Sequence, residues 1–467
     1  MLSKNDLITL EITDLTNEGS GVGHYCEDAS GERGMAVFVP FTAVGDVISC
    51  RIVKALKSYA YGKIEAIITP SPDRVRDDCP AYGKCGGCCF RHISYEAELR
   101  AKEGFVREAF TRIGGVEFGN EAEFLPICGS GSVSGYRNKL QMPVAKQNGK
   151  TVCGFYSERS HRVIPTERCD LQPELFGEIT GFVTEQADKL HISAYNEEKH
   201  EGVLRHIYLR RGHYSGEVCL CLVARRKVPE FTRLARSVME RFPQVTGVVL
   251  NLNRERTNVI LGGEEITLCG KPTISDTMCG VLVEISPRSF YQVNTPAAEA
   301  LYRQAAEFAE PAGKLLLDLY CGAGTIGLSM AKSADRDKSA KRMIGAEIVP
   351  EAVENAKANA QRNSVFNAEF FCADAGECAA RLEKSGERPD VIILDPPRKG
   401  CDDAALTACA SMQPERIVMI SCNPATAARD CKRLYELGYA VKKVRPFDLF
   451  PRTSHVECVV SMLRKAE

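Results

Sequence analysis

Leu315-Leu316-Leu317-Asp318-Leu319-Tyr320-Cys321-Gly322-Ala323-Gly324-Thr325 reads as a strand that runs into a glycine turn and opens a helix over 325–332. Glycine lacks a Cβ, so a turn built on Gly322 and Gly324 lets a ligand approach the backbone closely. A plain tight turn has the same spacing, and its surroundings decide between the two. A strand over 343–348 and a helix over 350–363 follow. Then come a strand over 391–394 with a helix over 403–412, and a strand over 416–421 with a helix over 424–437. This alternation predicts a Rossmann-like parallel sheet with helices on both faces. Glu347 closes the second strand, where an acid commonly holds a ribose diol. Gly322, Gly324 and Gly327 miss the spacing of the dinucleotide fingerprint, which argues against NAD.

Upstream, the pattern changes. Residues 1–68 alternate apolar and polar side chains in short runs separated by turns, which predicts a small β-barrel. Thr69-Pro70-Ser71-Pro72-Asp73 breaks that pattern. Residues 69–285 read as an α+β segment, with a helix over 95–113 and strands near 203–210, 217–224, 246–252 and 257–261. Residues 286–467 form the alternating segment. The expected fold class is therefore a multidomain α/β protein.

The 467 residues balance 60 Lys and Arg against 61 Asp and Glu, so net charge decides nothing about nucleic acid. Local crowding says more. Arg205, Arg210, Arg211, Arg225, Arg226 and Lys227, and separately Arg51, Lys54, Lys57 and Lys63, are candidate phosphate-binding faces or simply solvated ones. The start of the chain lacks a signal-peptide core, and no apolar run approaches a membrane span. A cytoplasmic protein is expected. In that reducing setting its 21 cysteines point to metal binding or catalysis rather than disulfides.

Five segments carry a resemblance: Ser289-Phe290-Tyr291-Gln292-Val293-Asn294, Asp318–Gly327, Asp395-Pro396-Pro397-Arg398, Ser421-Cys422-Asn423-Pro424 and His455-Val456-Glu457. In that order they resemble the bacterial RNA uracil-5 methyltransferases, particularly those acting on 23S ribosomal RNA, over nearly the whole chain. The amino-terminal barrel resembles that family's TRAM domain, an OB-like RNA-binding module. The resemblance implies S-adenosylmethionine (SAM) as cofactor, with contacts at Gln292, Tyr320, Glu347 and Asp395, and further ones at Thr325 and Asp374. It implies RNA as partner, 23S ribosomal RNA first and transfer RNA as the alternative, and a monomer without membrane attachment.

The chemistry needs a thiolate and a base. Uracil C5 is a poor nucleophile until a thiolate adds at C6 and leaves enolate character at C5, and a base must later remove the C5 proton. Cys422 ends an apolar strand and precedes Asn423-Pro424, a helix cap and a first-turn proline, so the helix N-terminus is expected to favour its thiolate. Cys321 is the rival, read as part of the cofactor turn. Glu457 lies in an apolar run, costly unless used or paired. Asp395 sits before two stiffening prolines. Arg398 stands where amine methyltransferases of the related motif carry an aromatic, which argues against amine chemistry.

Cys79, Cys85 and Cys88 have the spacing C-x5-C-x2-C around Gly86-Gly87. Zinc is the common reading of clustered cysteines, and an iron–sulfur cluster needs a fourth thiolate. The resemblance implies a 4Fe–4S cluster completed by Cys169. Cys89 is the alternative to Cys88, and Cys153 the alternative to Cys169. Tyr136-Arg137-Asn138-Lys139 resembles a family RNA-contact motif, with Tyr136 expected to stack on a base.

Overall fold

The computed structural model describes residues 2–26, 34–332 and 339–466. The amino-terminal strands Leu7–Glu11, Asp14–Leu15, Ser20–Tyr25, Met35–Pro40, Val47–Ala55 and Tyr59–Thr69 form one six-stranded sheet. Their alternation turns Leu10, Val37, Val39, Ile48, Cys50 and Ile52 onto a single apolar core. Buried Asp46 accepts hydrogen bonds from Ala43 N, Ser71 N (2.9 Å) and Arg74 Nε (2.7 Å). That carboxylate fastens the end of the barrel to the Pro-rich break.

The central sheet has seven strands, in the order Val163–Pro165, Lys150–Tyr156, Lys139–Gln147, Leu204–Arg211, Val218–Ala224, Val245–Leu252 and Glu264–Gly270. Helices Glu174–Lys189 and Glu230–Arg241 supply apolar side chains to its core. The strand expected at 257–261 is absent, and the sheet ends instead on Glu264–Gly270. The reason lies in the backbone acceptors. The Val259 and Ile260 carbonyls accept from the Asn253 side chain, and Thr257 O from Arg205, so they are not free for a ladder. Arg205 and Arg210 are buried. The basic run from 205 to 227 is therefore no continuous solvated face.

The carboxy-terminal sheet has eight strands, in the order Ala368–Cys372, Arg342–Glu347, Leu315–Leu319, Val391–Leu394, Arg416–Ser421, Glu457–Arg464, Tyr439–Phe447 and Glu123–Phe124. The first five are mutually parallel, and Glu457–Arg464 runs antiparallel between Arg416–Ser421 and Tyr439–Phe447. Strand order reverses between Leu315–Leu319 and Val391–Leu394, and such a switch point opens a crevice at the carboxyl ends of the strands.

Two stretches that the sequence groups with 69–285 belong with this sheet, one by pairing and one by packing. Glu123–Phe124 pairs with Tyr439–Phe447, covering what would be an open edge. The hairpin Ile274–Met278 and Val281–Ile285 shares its core with helix Thr295–Ala309 and the sheet. The 285/286 boundary therefore cuts one packed unit.

Candidate active site

The crevice is a cavity of 1210 Å³, lined among others by Gln292, Tyr320, Thr325, Glu347, Asp374, Asp395, Cys422 and Glu457. All eight side chains singled out from sequence for cofactor binding and chemistry thus meet in one place.

At one end the glycine turn sets the geometry. Tyr320 has a φ of 63°, unusual for a residue with a side chain, and Gly322 and Gly324 continue at 54° and 78°. Glu347 Oε2 accepts from Gly322 N (3.1 Å) and Oε1 from Val349 N (2.9 Å). Two backbone donors fix the carboxylate while each oxygen keeps a lone pair for a further partner. Behind the turn, buried Asp318 accepts from Gly327 N (2.9 Å), and its other oxygen has no partner. Burial, with Asp395 and Glu347 nearby, pushes it up to about 7. Asp374 caps helix Ala375–Ser385 in a reciprocal box with Glu377, so part of its role is local.

Tyr302 was not singled out from sequence. It is buried in the cavity wall, within side-chain hydrogen-bonding reach of Gln292 and Thr325 and near Asp395. A tyrosine on the apolar face of helix Thr295–Ala309 reads as core, and nothing in its spacing marks it.

At the other end stand Cys422, Glu457, Asp395, Arg398 and His455. Asn423 Oδ1 accepts from Ala425 N (3.2 Å), and its Nδ2 donates to Arg398 O (3.2 Å), so the residue after Cys422 ties the helix start to the Asp-Pro-Pro-Arg loop. Burial pushes Glu457 up to about 8; Asp395 adds to this and Arg398 opposes it. Burial alone raises Asp395 to about 7. Burial, then Glu457, hold the Cys422 thiol above its ordinary value, with Arg398 opposing. Burial therefore outweighs the thiolate stabilisation expected from the helix end. Arg398 is the cation facing both groups, a role beyond the one read from sequence. Cys321 is buried, and burial followed by Asp318 and Glu347 raises its thiol far more. It is the poorer candidate nucleophile.

The loop leading to Glu457 is gripped carbonyl by carbonyl. Leu449 O accepts from Asn294 Nδ2 (3.0 Å), Phe450 O from Lys102 Nζ (3.2 Å), Pro451 O from the Tyr136 hydroxyl (3.0 Å) and Arg452 O from Cys89 N (2.9 Å). Lys102 is fully buried and also donates to Glu98 and Asp448, each at 2.7 Å. Tyr136 is thus a buried strut, not the base-stacking platform expected, because its hydroxyl is consumed by Pro451. Asn138 is likewise internal, donating to Gln292 O and Thr295 Oγ1. Arg137 and Lys139 reach the cavity.

Cys79, Cys85, Cys88 and Cys169 sit within electrostatic reach of one another. Gly86 turns at a φ of 59°, and a Cβ on Gly87 would lie 3.6 Å from the Cys85 sulfur. Among the described residues no three such side chains are drawn close enough to hold a metal ion. Cys89 packs apart, against Gly19 and near Lys102 and Glu98. Cys153 lies in the central core near Thr180. Neither alternative joins the four.

Residues 278–465 match the family described as tRNA (Uracil-5-)-methyltransferase, and residues 4–64 match the TRAM domain. An RNA methyltransferase of Halalkalibacterium halodurans is 41% identical over 460 residues, covering 98% of this chain and 97% of that protein. The chain belongs to the RNA uracil-5 methyltransferase family. An RNA methyltransferase of Clostridium tetani is 39% identical over 463 residues, covering 99% and 97%. The crystal structure of Pyrococcus abyssi tRNA (uracil-54, C5)-methyltransferase in complex with S-adenosyl-L-homocysteine aligns with a TM-score of 0.76. It is 26% identical, covering 98% of this chain and all of that one. As a member of this family the protein is a SAM-dependent RNA uracil-5 methyltransferase with an amino-terminal TRAM domain. Among the described residues no helix is long and apolar enough to cross a membrane.

Proposed function

We propose that the protein methylates C5 of a uridine in 23S ribosomal RNA, with Cys422 as nucleophile and Glu457 as the C5 base. The observation that carries this reading is one cavity holding Cys422 and Glu457 beside Gln292, Tyr320, Glu347 and Asp395. SAM supplies an electrophilic methyl on a sulfonium. The Cys422 thiol passes its proton to solvent and reacts as the thiolate; its sulfur adds to C6, so the C5–C6 electron pair moves toward C5 and O4. The C5 carbon would take the methyl as the methyl–sulfonium bond breaks and S-adenosylhomocysteine leaves; Glu457 accepts the C5 proton, and the C6–S bond breaks to release 5-methyluridine and the thiolate. Glu347 would hold the ribose diol, and Gln292, Tyr320, Thr325, Asp374 and Asp395, which line the same cavity, would hold the rest of the cofactor. Each acid at the reactive end is pushed up by burial, so a cation seated among them would bring Glu457 and Asp395 back toward ionisation.

Cys79, Cys85, Cys88 and Cys169 would hold a 4Fe–4S cluster that orders the segment carrying Cys89 and Phe90, whose N–H groups grip Arg452. Iron and acid-labile sulfide in anaerobically purified protein, both lowered in Cys169→Ser, support this; full content in that variant places the fourth ligand elsewhere. All site residues come from one chain, so the reading needs no second copy, and a cytoplasmic location suits an RNA substrate.

The four-thiol segment beside the barrel favours ribosomal RNA. The transfer RNA reading is favoured by the aligned Pyrococcus abyssi structure, that of a tRNA enzyme. Unmodified 23S and transfer RNA transcripts, each incubated with SAM and digested to nucleosides, separate the two. 5-Methyluridine in 23S RNA alone supports the proposal; in transfer RNA alone it replaces the substrate; methylated adenosine or guanosine refutes uracil-5 chemistry.

A further inference from the structure

The connection from strand Tyr439–Phe447 to strand Glu457–Arg464 puts Phe450, His455 and Glu457 into the cavity wall. A buried group of charges, unused by the chemistry, holds that connection. Lys102 Nζ donates to Glu98, to Asp448 and to the Phe450 carbonyl, and the three charged side chains are fully buried. Glu98 also accepts from Arg452 N (2.7 Å) and pairs with the Arg452 guanidinium at 3.5 Å. Asp448 accepts from the Tyr95 hydroxyl (2.8 Å) and from Phe450 N (3.1 Å). Two carboxylates thus meet two cations. Apolar side chains in place of such a group are often as stable or more so, so stability alone does not account for it. Its charge-assisted bonds are short and directional, and they fix named atoms of one loop.

The loop passes that fix onward. The Phe450 carbonyl accepts from Thr453 N (3.1 Å) and from Thr453 Oγ1 (2.8 Å) as well. Thr453 Oγ1 in turn accepts from His455 N (3.3 Å), two positions before Glu457. We infer that the buried Glu98–Lys102–Asp448 group, acting through Phe450 and Thr453, positions Glu457 for removal of the C5 proton. The inference rests on the reading above in which Glu457 is the base. Glu98, Lys102, Asp448 and Thr453 are positioning residues, since none of them lines the cavity. A base must stand within hydrogen-bond reach of the proton it takes, so a displaced loop slows elimination first. Cys422 follows strand Arg416–Ser421, and Tyr320, Glu347 and Asp395 come from other strand ends. This loop carries none of the four, so addition and methyl transfer depend on it less.

The test uses the full chain with SAM and whichever of the unmodified 23S or transfer RNA transcripts the unaltered enzyme methylates, with Glu457→Gln as reference. Thr453→Val keeps the side-chain shape and removes the hydroxyl; Thr453→Ser keeps the hydroxyl. Glu98→Gln keeps the shape of the buried group and removes one charge. In Thr453→Val and Glu98→Gln, kcat should fall by roughly ten- to a hundredfold, the range for a misplacement on the order of 1 Å. Affinities for RNA and S-adenosylhomocysteine should stay unchanged. Samples quenched in denaturant during turnover should hold more protein–RNA adduct than the unaltered enzyme, and Thr453→Ser should restore both kcat and the adduct level. A fall in kcat without a rise in adduct puts the effect on addition or methyl transfer and overturns the inference. Unchanged kcat per folded enzyme, with or without a lower melting temperature, makes the group merely structural and overturns it too. If Glu457→Gln itself accumulates no adduct, it is the assignment of the base that fails.

Discussion

Glu457→Gln should make the cofactor-free protein less sensitive to alkali. Burial raises the carboxyl of Glu457 from an ordinary 4.5 to about 8. The folded chain therefore holds a proton between those values that the unfolded chain has released. Stability falls with pH wherever the native state binds more protons, so this group is harmless below 4.5 and destabilises progressively up to about 8. At about 1.36 kcal/mol per pH unit, the penalty relative to a neutral isostere is ~1 kcal/mol at pH 5.5 and ~5 kcal/mol at pH 8.5. Glutamine keeps the shape and cannot ionise. Urea unfolding of both proteins across that range should show the gap opening with pH, Glu457→Gln being the more stable at the alkaline end. Parallel curves would refute the argument that burial raises the Glu457 carboxyl.

Glu347→Ala should weaken S-adenosylhomocysteine binding by at least tenfold in calorimetry while RNA affinity holds, since its carboxylate anchors the turn at Gly322; equal losses for both ligands would remove its assignment to the ribose. Lys102→Met strands Glu98 and Asp448 in the interior and should cost about 3–5 kcal/mol in urea unfolding; a cost below ~1 kcal/mol would show that the pair is not dry. Asn423→Ala removes a helix cap worth ~1 kcal/mol and frees the Arg398 loop, so turnover should fall more than cofactor affinity. A loss confined to cofactor affinity would contradict that.

The parallel half of the catalytic sheet is legible because each buried strand is a short apolar run followed by a helix start at Pro350, Asp403 or Pro424. Glu123–Phe124 is not legible, because two residues carry no period. Ala368–Cys372, half-exposed at the other edge of the sheet, carries too little apolar pattern to stand out. Cys422 and Glu457 stand out in sequence because a thiol directly follows one apolar strand and a carboxylate opens another. Tyr302 does not, since its partners Gln292 and Thr325 come from segments joined only by folding. Tyr136 misleads for the opposite reason: its motif places it beside the RNA-facing residues, and the fold turns its ring inward to hold Pro451. The basic run from 205 to 227 misleads similarly, because charge in sequence says nothing about which arginines are buried against carbonyls.

The central claim is that Cys422 opens and Glu457 closes one covalent cycle. Glu457→Gln, incubated with SAM and the methylated RNA, should complete addition and methyl transfer and then stall with the C5 proton in place. A protein–RNA adduct should survive denaturing electrophoresis and disappear when Cys422→Ala is added. An adduct that persists without Cys422 would name another cysteine as the nucleophile, Cys321 first, and contradict the account.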